Sequence, residues 1–134
     1  MRNLLLSLGS ILIVFSGLFH IYVFYLESII WSKPKTWYTF GISSQVNADV
    51  IRPMAFNQGF YNLFLAIGTI LGISLLAVNQ AIGFTLAIFA ASSMSLAGTV
   101  LFFSVKTSRR AALIQFTPPV LGIIFVVIGL QQVQ

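Results

Sequence analysis

Two ionisable side chains stand out in the apolar N-terminal third of the chain. His20 is the only histidine, and Glu27, seven residues later, is one of only two acidic residues. Ser16 lies four residues before His20, so on a helix all three side chains share one face. A histidine and a carboxylate can act as general acid and base on a substrate held between them. The same residues also suit a plainer role, in which they donate and accept hydrogen bonds between helices.

Amides and hydroxyls near the middle of the chain form a second polar group. The run from 57 to 62 reads Asn-Gln-Gly-Phe-Tyr-Asn. At about 100° per residue, its polar members and the small residues that follow fall within one arc of about 140°. We expect that arc to face other helices, because unsatisfied polar groups are costly in hydrocarbon. The candidate ligand-binding residues are Ser16, His20, Glu27, Trp31, Asn57, Gln58, Tyr61, Asn62, Gln115 and Thr117.

The composition identifies the elements that must position these residues. Of 134 residues, 58% are hydrophobic and 7% are charged, with a mean hydropathy of +1.00. A water-soluble domain carries roughly a quarter of charged residues, so the chain is predicted to be a membrane protein without room for a soluble catalytic domain. Cysteine is absent, which excludes a disulfide scaffold and thiolate-bound metals. One histidine and one nearby glutamate, about 10 Å apart along a helix, make a poor metal site.

Four apolar runs are each long enough to cross a bilayer as an α-helix. They predict an all-α, four-transmembrane-helix bundle that forms a single domain over residues 1–134. The predicted helices are residues 3–31, 54–78, 81–105 and 111–130. Arg2 and the first run imitate a signal peptide, but the run is too long and lacks a cleavage site, so we interpret it as a retained helix.

Basic residues indicate how the bundle is oriented. Six of the seven lysines and arginines fall in residues 32–53 and 106–110, and only Arg2 falls on the other side. The positive-inside rule then predicts that both basic loops are cytoplasmic and both termini outside. It also explains the net charge of +5 without nucleic acid as a partner. We expect a bacterial inner membrane.

Depth along the helices predicts a polar pocket in the cytoplasmic half. At about 1.5 Å per residue, Glu27 lies near the loop end of the first helix and His20 about 10 Å further in. Pro118 and Pro119 remove two backbone donors at a similar level, which frees carbonyl groups as acceptors. The loop of residues 32–53, here called the lid, is expected to cover this pocket.

The third helix shows a different pattern. Small residues recur every four positions at Gly83, Ala87, Ala91 and Ser95. This spacing favours close helix packing, either inside the bundle or against another protomer or a larger complex.

The residues His20, Glu27, Trp31 and Pro34, followed by the run from Asn57 to Gly68, resemble a known family. That family is domain of unknown function 1304, small bacterial four-helix integral membrane proteins. The resemblance covers most of the chain. It implies the four-helix fold and the grouping of these polar residues, and it implies no activity.

Three functions stay open at this point. The chain could bind or transport a small amphipathic or lipid-like molecule in the bilayer, with its polar head on the polar cluster and its tail among phenylalanines. It could be an intramembrane isomerase that uses His20 and Glu27 and needs no cofactor. Alternatively, it could be an accessory subunit that docks through its third helix. We favour the first function.

Overall fold

The computed structural model describes residues 1–132, and every regular element in that range is helical. The elements are α1 (Arg2–Phe24), a π-helical turn (Tyr25–Ile29), α2 (Pro34–Thr39), α3 (Gln45–Leu75), α4 (Gln80–Ser104), a 3₁₀ turn (Lys106–Ser108) and α5 (Arg109–Gln131). Four of them, counting α1 with its π turn, are long and apolar enough to cross a membrane. The chain is therefore a multi-pass membrane protein, and the predicted four-helix bundle is confirmed.

The second membrane helix begins earlier than the sequence predicted. We expected it to start at Met54, after Pro53, whereas α3 starts at Gln45 and has Pro53 in its interior. The Ser44 side chain caps this start by accepting the Asn47 N–H at 3.3 Å. A proline leaves the carbonyl four residues earlier without its donor. That residue, Asp49, is exposed, so water can satisfy the carbonyl. The predicted lid loop thus contains α2 and the first nine residues of α3.

Small residues bring the membrane helices into close contact. A Cβ added to Gly72 of α3 would lie 2.6 Å from the Ala87 nitrogen of α4, and one added to Gly9 of α1 would lie 2.8 Å from the Gly122 oxygen of α5. Around these contacts lies a core of Ile13, Phe84, Ala87, Ala91 and Val126. The small-residue stripe on α4 is buried within the chain, because Gly83, Ala87, Ala91 and Ser95 are all covered.

The face that α3 buries differs from the predicted polar arc. Its buried residues are Ala48, Ala55, Gly59, Asn62, Ala66, Thr69 and Gly72. At about 100° per residue, the part of this face from Ala55 onward is centred about 80° away from the centre of the predicted arc. Asn57 and Tyr61, which the arc would place inside, are exposed. Close approach of helix backbones needs small side chains, so the alanines and glycines decide the orientation of α3.

The lid folds into a small core of its own at the end of the bundle that carries the basic residues, here called the basic-loop end. Trp31, Trp37, Ala48 and Ala55 are buried there together. The Trp31 Nε1–H donates to the Ala48 carbonyl at 3.0 Å, and the Trp31 ring lies 5.5 Å from that of Phe40. This packing fixes the end of α2 above the helices, next to the cavity described below.

Candidate functional site

A cavity of about 440 Å³ lies at the basic-loop end of the bundle. All five helices, the π turn and the 3₁₀ turn contribute to its wall. Its polar lining residues are Glu27, Thr39, Gln58, Asn62, Ser108 and Gln115. Its apolar lining residues are Phe19, Tyr22, Val23, Leu26, Phe40, Ala97, Leu101, Ala111 and Ile114. Volumes of about 300–1,000 Å³ are usual for small-molecule sites, which also combine mostly apolar walls with a few polar groups.

A hydrogen-bonded pair forms the polar wall. The Asn62 Nδ2 donates to Glu27 Oε2 at 2.8 Å and to the Gln58 carbonyl at 3.2 Å. Both side chains are largely buried, with 8% of Glu27 and 6% of Asn62 exposed. Asn62 has thereby used both amide hydrogens. The other oxygens of the pair, Glu27 Oε1 and Asn62 Oδ1, accept no hydrogen bond from residues 1–132.

Glu27 lies in the π turn that ends the first membrane helix. The Ile30 N–H donates to the Tyr25 carbonyl at 3.1 Å, five residues earlier, instead of four as in an α-helix. A turn with one extra residue shifts the side chains that follow by up to about 100° around the axis. Glu27 lies within this turn and lines the cavity together with Val23 and Leu26.

Gly59 allows this turn to pack closely against α3. A Cβ at Gly59 would collide with Ser28 Oγ and lie 3.1 Å from the Glu27 Cβ. Ser28 Oγ in turn donates to the Phe56 carbonyl at 2.9 Å. The glycine inside the Asn-Gln-Gly-Phe-Tyr-Asn run is therefore what lets Glu27 reach Asn62.

His20 lies apart from the cavity. Only 1% of its surface is exposed, and it is not among the lining residues. Its Nδ1 lies 2.8 Å from the Ser16 carbonyl, which can only accept, so Nδ1 carries a proton. Its Nε2 is buried and has no partner within the described part of the chain. The Ser16 hydroxyl donates to the Leu12 carbonyl at 2.8 Å. Of the three residues predicted to share one face, Ser16, His20 and Glu27, only Glu27 lines the cavity.

The α5 side of the cavity includes two residues whose main-chain carbonyls lack a helix donor. Pro118 and Pro119 lie inside α5 and have no N–H to donate. The carbonyls that lose their donors belong to Ile114 and Gln115, four residues earlier, and both of these residues line the cavity. The residues whose carbonyls the two prolines free are thus residues that line the cavity.

The remaining sequence candidates lie elsewhere. Trp31 belongs to the core of the lid, whereas Asn57, Tyr61 and Thr117 are exposed. None of these four lines the cavity. Conversely, sequence reasoning did not find Phe40 and Thr39, since nothing in the lid sequence indicates which residues face inward. It also missed Tyr22 and Leu26, which look like ordinary lipid-facing residues.

Metal binding has no support in the geometry of residues 1–132. No three histidine, cysteine or acidic side chains in that range are placed so that they could hold a metal ion. The chemistry available to the cavity is therefore hydrogen bonding and charge on the polar wall, together with apolar contact elsewhere.

Comparison with curated proteins gave no match, and comparison with solved structures gave none. A family model described as protein of unknown function (DUF1304) matches residues 14–127. This range includes α3, α4 and the cavity-lining residues of α1, α2 and α5, and it is well over half of the chain. The chain therefore belongs to the DUF1304 family of proteins of unknown function.

Proposed function

We propose that this protein binds or transports a small amphipathic or lipid-like molecule, whose polar head lies on the Glu27 and Asn62 wall of the cavity. The observation that carries the proposal is the cavity itself. It joins a buried, hydrogen-bonded polar wall to apolar walls from α1, α4 and α5. A molecule with one polar end and one apolar end matches this division.

Two lining residues of the cavity are exposed on the membrane helices. Tyr22 of α1 is 55% exposed and Ile114 of α5 is 51% exposed, and both line the cavity. We propose that the cavity opens to the bilayer between these two helices. An amphipathic molecule dissolved in the bilayer can enter by this route with its tail still in an apolar environment.

The two alternatives have less support. An isomerase that uses His20 and Glu27 would need both groups at one substrate, whereas only Glu27 lines the cavity. An accessory subunit that docks through its third helix would need the small residues of α4 at the surface. Those residues are buried inside this chain.

Blocking the cavity tests the binding proposal. Ala97 lines the cavity from α4, and Ala97→Phe would fill much of it with an apolar ring without changing the polar wall. Leu96→Phe places the same ring one residue away at a 67% exposed position and is the matched control. Mass spectrometry of lipids and metabolites that copurify with each protein should find a species in the wild type and in Leu96→Phe that Ala97→Phe lacks. If all three proteins retain the same species, the cavity is not their binding site.

We also propose that the basic-loop end faces the cytoplasm, with both termini outside, in the inner membrane of a bacterium. The positive-inside rule and the six basic residues at that end support this orientation. Ser44, at the start of α3, is the residue to test it. In Ser44→Cys, the thiol should react with a membrane-impermeant maleimide in inverted vesicles and remain unreacted in intact cells. Labelling in intact cells would reverse the proposed orientation.

A further inference from the structure

We propose that the cavity selects an ammonium head group, that is, a protonated amine attached to an apolar tail. This inference rests on the proposed function, since it names the class of amphipathic molecule that the same cavity would take. The hydrogen-bonding atoms and the charges around the cavity lead to it. A protonated primary amine supplies a positive charge and three donors and has no acceptor.

Several residues that line the cavity carry hydrogen-bond acceptors that lack a donor. Glu27 Oε1 and Asn62 Oδ1 accept no hydrogen bond from the described residues, because the two Asn62 hydrogens go to Glu27 Oε2 and to the Gln58 carbonyl. The carbonyls of Ile114 and Gln115 lose their helix donors to the two prolines. A head group that only donates would satisfy these atoms, while one that only accepts would compete with them.

The cavity lining holds one carboxyl group and no basic side chain. Glu27 is the only ionisable acid or base among the residues that line the cavity, apart from the phenol of Tyr22. Arg109, which follows the lining residue Ser108, is directed elsewhere. Its Nε lies 3.4 Å from the Phe102 carbonyl, and its guanidinium lies 5.1 Å from the centre of the Phe102 ring. Phe102 does not line the cavity, so no arginine of the basic-loop end neutralises Glu27 from inside it.

Aromatic rings complete the cavity. Phe19 and Tyr22 contribute from α1, and Phe40 contributes from the end of α2. The faces of such rings attract cations, and most strongly where water is excluded. The same rings accept an apolar tail equally well, so they favour a cation with a hydrocarbon chain over a small hydrophilic cation.

The ammonium group has two natural sources. A free lipophilic amine is one, and an aminophospholipid of the surrounding bilayer is the other. The binding experiment below separates them.

Binding of four amphiphiles with the same twelve-carbon tail tests the head group directly. The probes are dodecylammonium, dodecyltrimethylammonium, dodecanol and dodecanoate, each titrated below its own micelle concentration into protein in maltoside detergent. Trp31 and Trp37 both lie in the small core at the basic-loop end, and the Trp31 ring is 5.5 Å from that of the lining residue Phe40. Their fluorescence therefore reports occupancy, and native mass spectrometry counts the bound molecules.

We expect dodecylammonium to bind at least about tenfold more tightly than dodecanol or dodecanoate, since hydrogen bonds to a charged group are the stronger kind. Dodecyltrimethylammonium has the positive charge but no N–H donor. Its affinity should lie between that of dodecylammonium and those of dodecanol and dodecanoate. Glu27→Gln keeps the shape of the side chain and an acceptor oxygen. It should weaken the binding of dodecylammonium by about tenfold or more and leave the binding of dodecanol unchanged. Leu96→Phe should bind all four probes as the wild type does.

Several results would overturn the inference. If dodecanol or dodecanoate binds as tightly as dodecylammonium to the wild type, the head group is not an ammonium, while the proposed amphiphile site survives. Unchanged dodecylammonium binding in a folded Glu27→Gln protein would likewise exclude an ammonium head group at this carboxylate. If no probe binds, both the inference and the proposed function fail. The comparison among probes on the wild type needs no variant, so it stands even where Glu27→Gln does not fold.

Dodecylammonium binding to protein in nanodiscs of two lipid compositions distinguishes the two sources of the ammonium group. Dodecylammonium binding is compared in discs that contain aminophospholipid and in discs of phosphatidylglycerol alone, after correction for adsorption to protein-free discs. If the aminophospholipid occupies the site, it competes with the probe, and dodecylammonium should bind more weakly in the first discs. Equal binding in the two discs assigns the site to a free amine. An increase of binding with aminophospholipid would contradict a site shared by the two amines.

Discussion

Gly59 lies where the π turn of the first membrane helix meets α3, and Gly59→Ala tests whether this contact holds Glu27 in place. The added Cβ would collide with Ser28 Oγ and lie 3.1 Å from the Glu27 Cβ and 3.2 Å from the Ser28 Cβ. Either the Ser28 hydroxyl rotates away or the turn moves outward, and both changes break the 2.9 Å hydrogen bond from Ser28 Oγ to the Phe56 carbonyl. Outward movement also separates Glu27 from Asn62.

The magnitude follows from three opposing contributions. Overpacking costs about 1–3 kcal/mol, and loss of the Ser28 hydrogen bond costs about 0.5–1.5 kcal/mol. Replacing glycine by alanine inside a helix returns about 0.5–1 kcal/mol. We therefore expect the free energy of unfolding to fall by about 2 kcal/mol.

The assay is reversible unfolding in mixed micelles, with Gly68→Ala as the matched control on the same helix. A Cβ at Gly68 would meet only the Ala90 Cβ, at 3.2 Å, so its stability should stay within about 1 kcal/mol of the wild type. Ser28→Ala removes the oxygen with which the new Cβ would collide. The loss of unfolding free energy in the double variant, Gly59→Ala with Ser28→Ala, should therefore be smaller than the sum of the two single losses by about 1 kcal/mol. Equal stability of Gly59→Ala and Gly68→Ala, or strict additivity with Ser28→Ala, would refute the reasoning.

The polar groups provide two further predictions. Asn62→Leu leaves the Glu27 carboxyl without its donor and should lower the free energy of unfolding by about 1–3 kcal/mol. The side chain of Gln115 makes no hydrogen bond with the described residues, so Gln115→Leu should cost less than half as much in the same unfolding experiment. The 2.8 Å contact to the Ser16 carbonyl requires a proton on Nδ1 of His20, so ¹⁵N spectra of histidine-labelled protein in micelles should show Nδ1 as the protonated nitrogen. A signal from the neutral ring with the proton on Nε2 would contradict the contact.

The sequence predicted the four helices well because hydrophobic length is a strong signal. It predicted the orientation of α3 poorly because two patterns on that helix compete. The polar residues Asn57 and Tyr61 favour one face, whereas Ala55, Gly59 and Ala66 favour another. In lipid, close contact between helix backbones determines the orientation of α3. Asn62 is therefore the only member of the Asn-Gln-Gly-Phe-Tyr-Asn run whose polar side chain is buried.

The candidate site was predictable only in part. Glu27 and Asn62 could be placed at the same depth by counting residues, and the structure joins them by a hydrogen bond. Counting assumed a regular α-helix through residue 31, however, and the π turn at Tyr25–Ile29 breaks that register. No local residue pattern indicates such a turn, which packs against α3 at Gly59 and donates a hydrogen bond from Ser28 to the Phe56 carbonyl. The sequence therefore placed His20 and Glu27 on one face, whereas only Glu27 lines the cavity in the structure.

The two halves of the α1 and α5 pair should differ in stiffness. Toward the termini, Gly9 and Gly122 bring the two backbones into direct contact. Beyond Pro118 and Pro119, the first part of α5 has lost two main-chain hydrogen bonds and borders the cavity instead of α1. Backbone amides near the N-terminal end of α5 should exchange with solvent hydrogen sooner than those near Gly122. A molecule that enters between Tyr22 and Ile114 would thus bend a segment that offers little resistance, while the glycine contact serves as the fixed end.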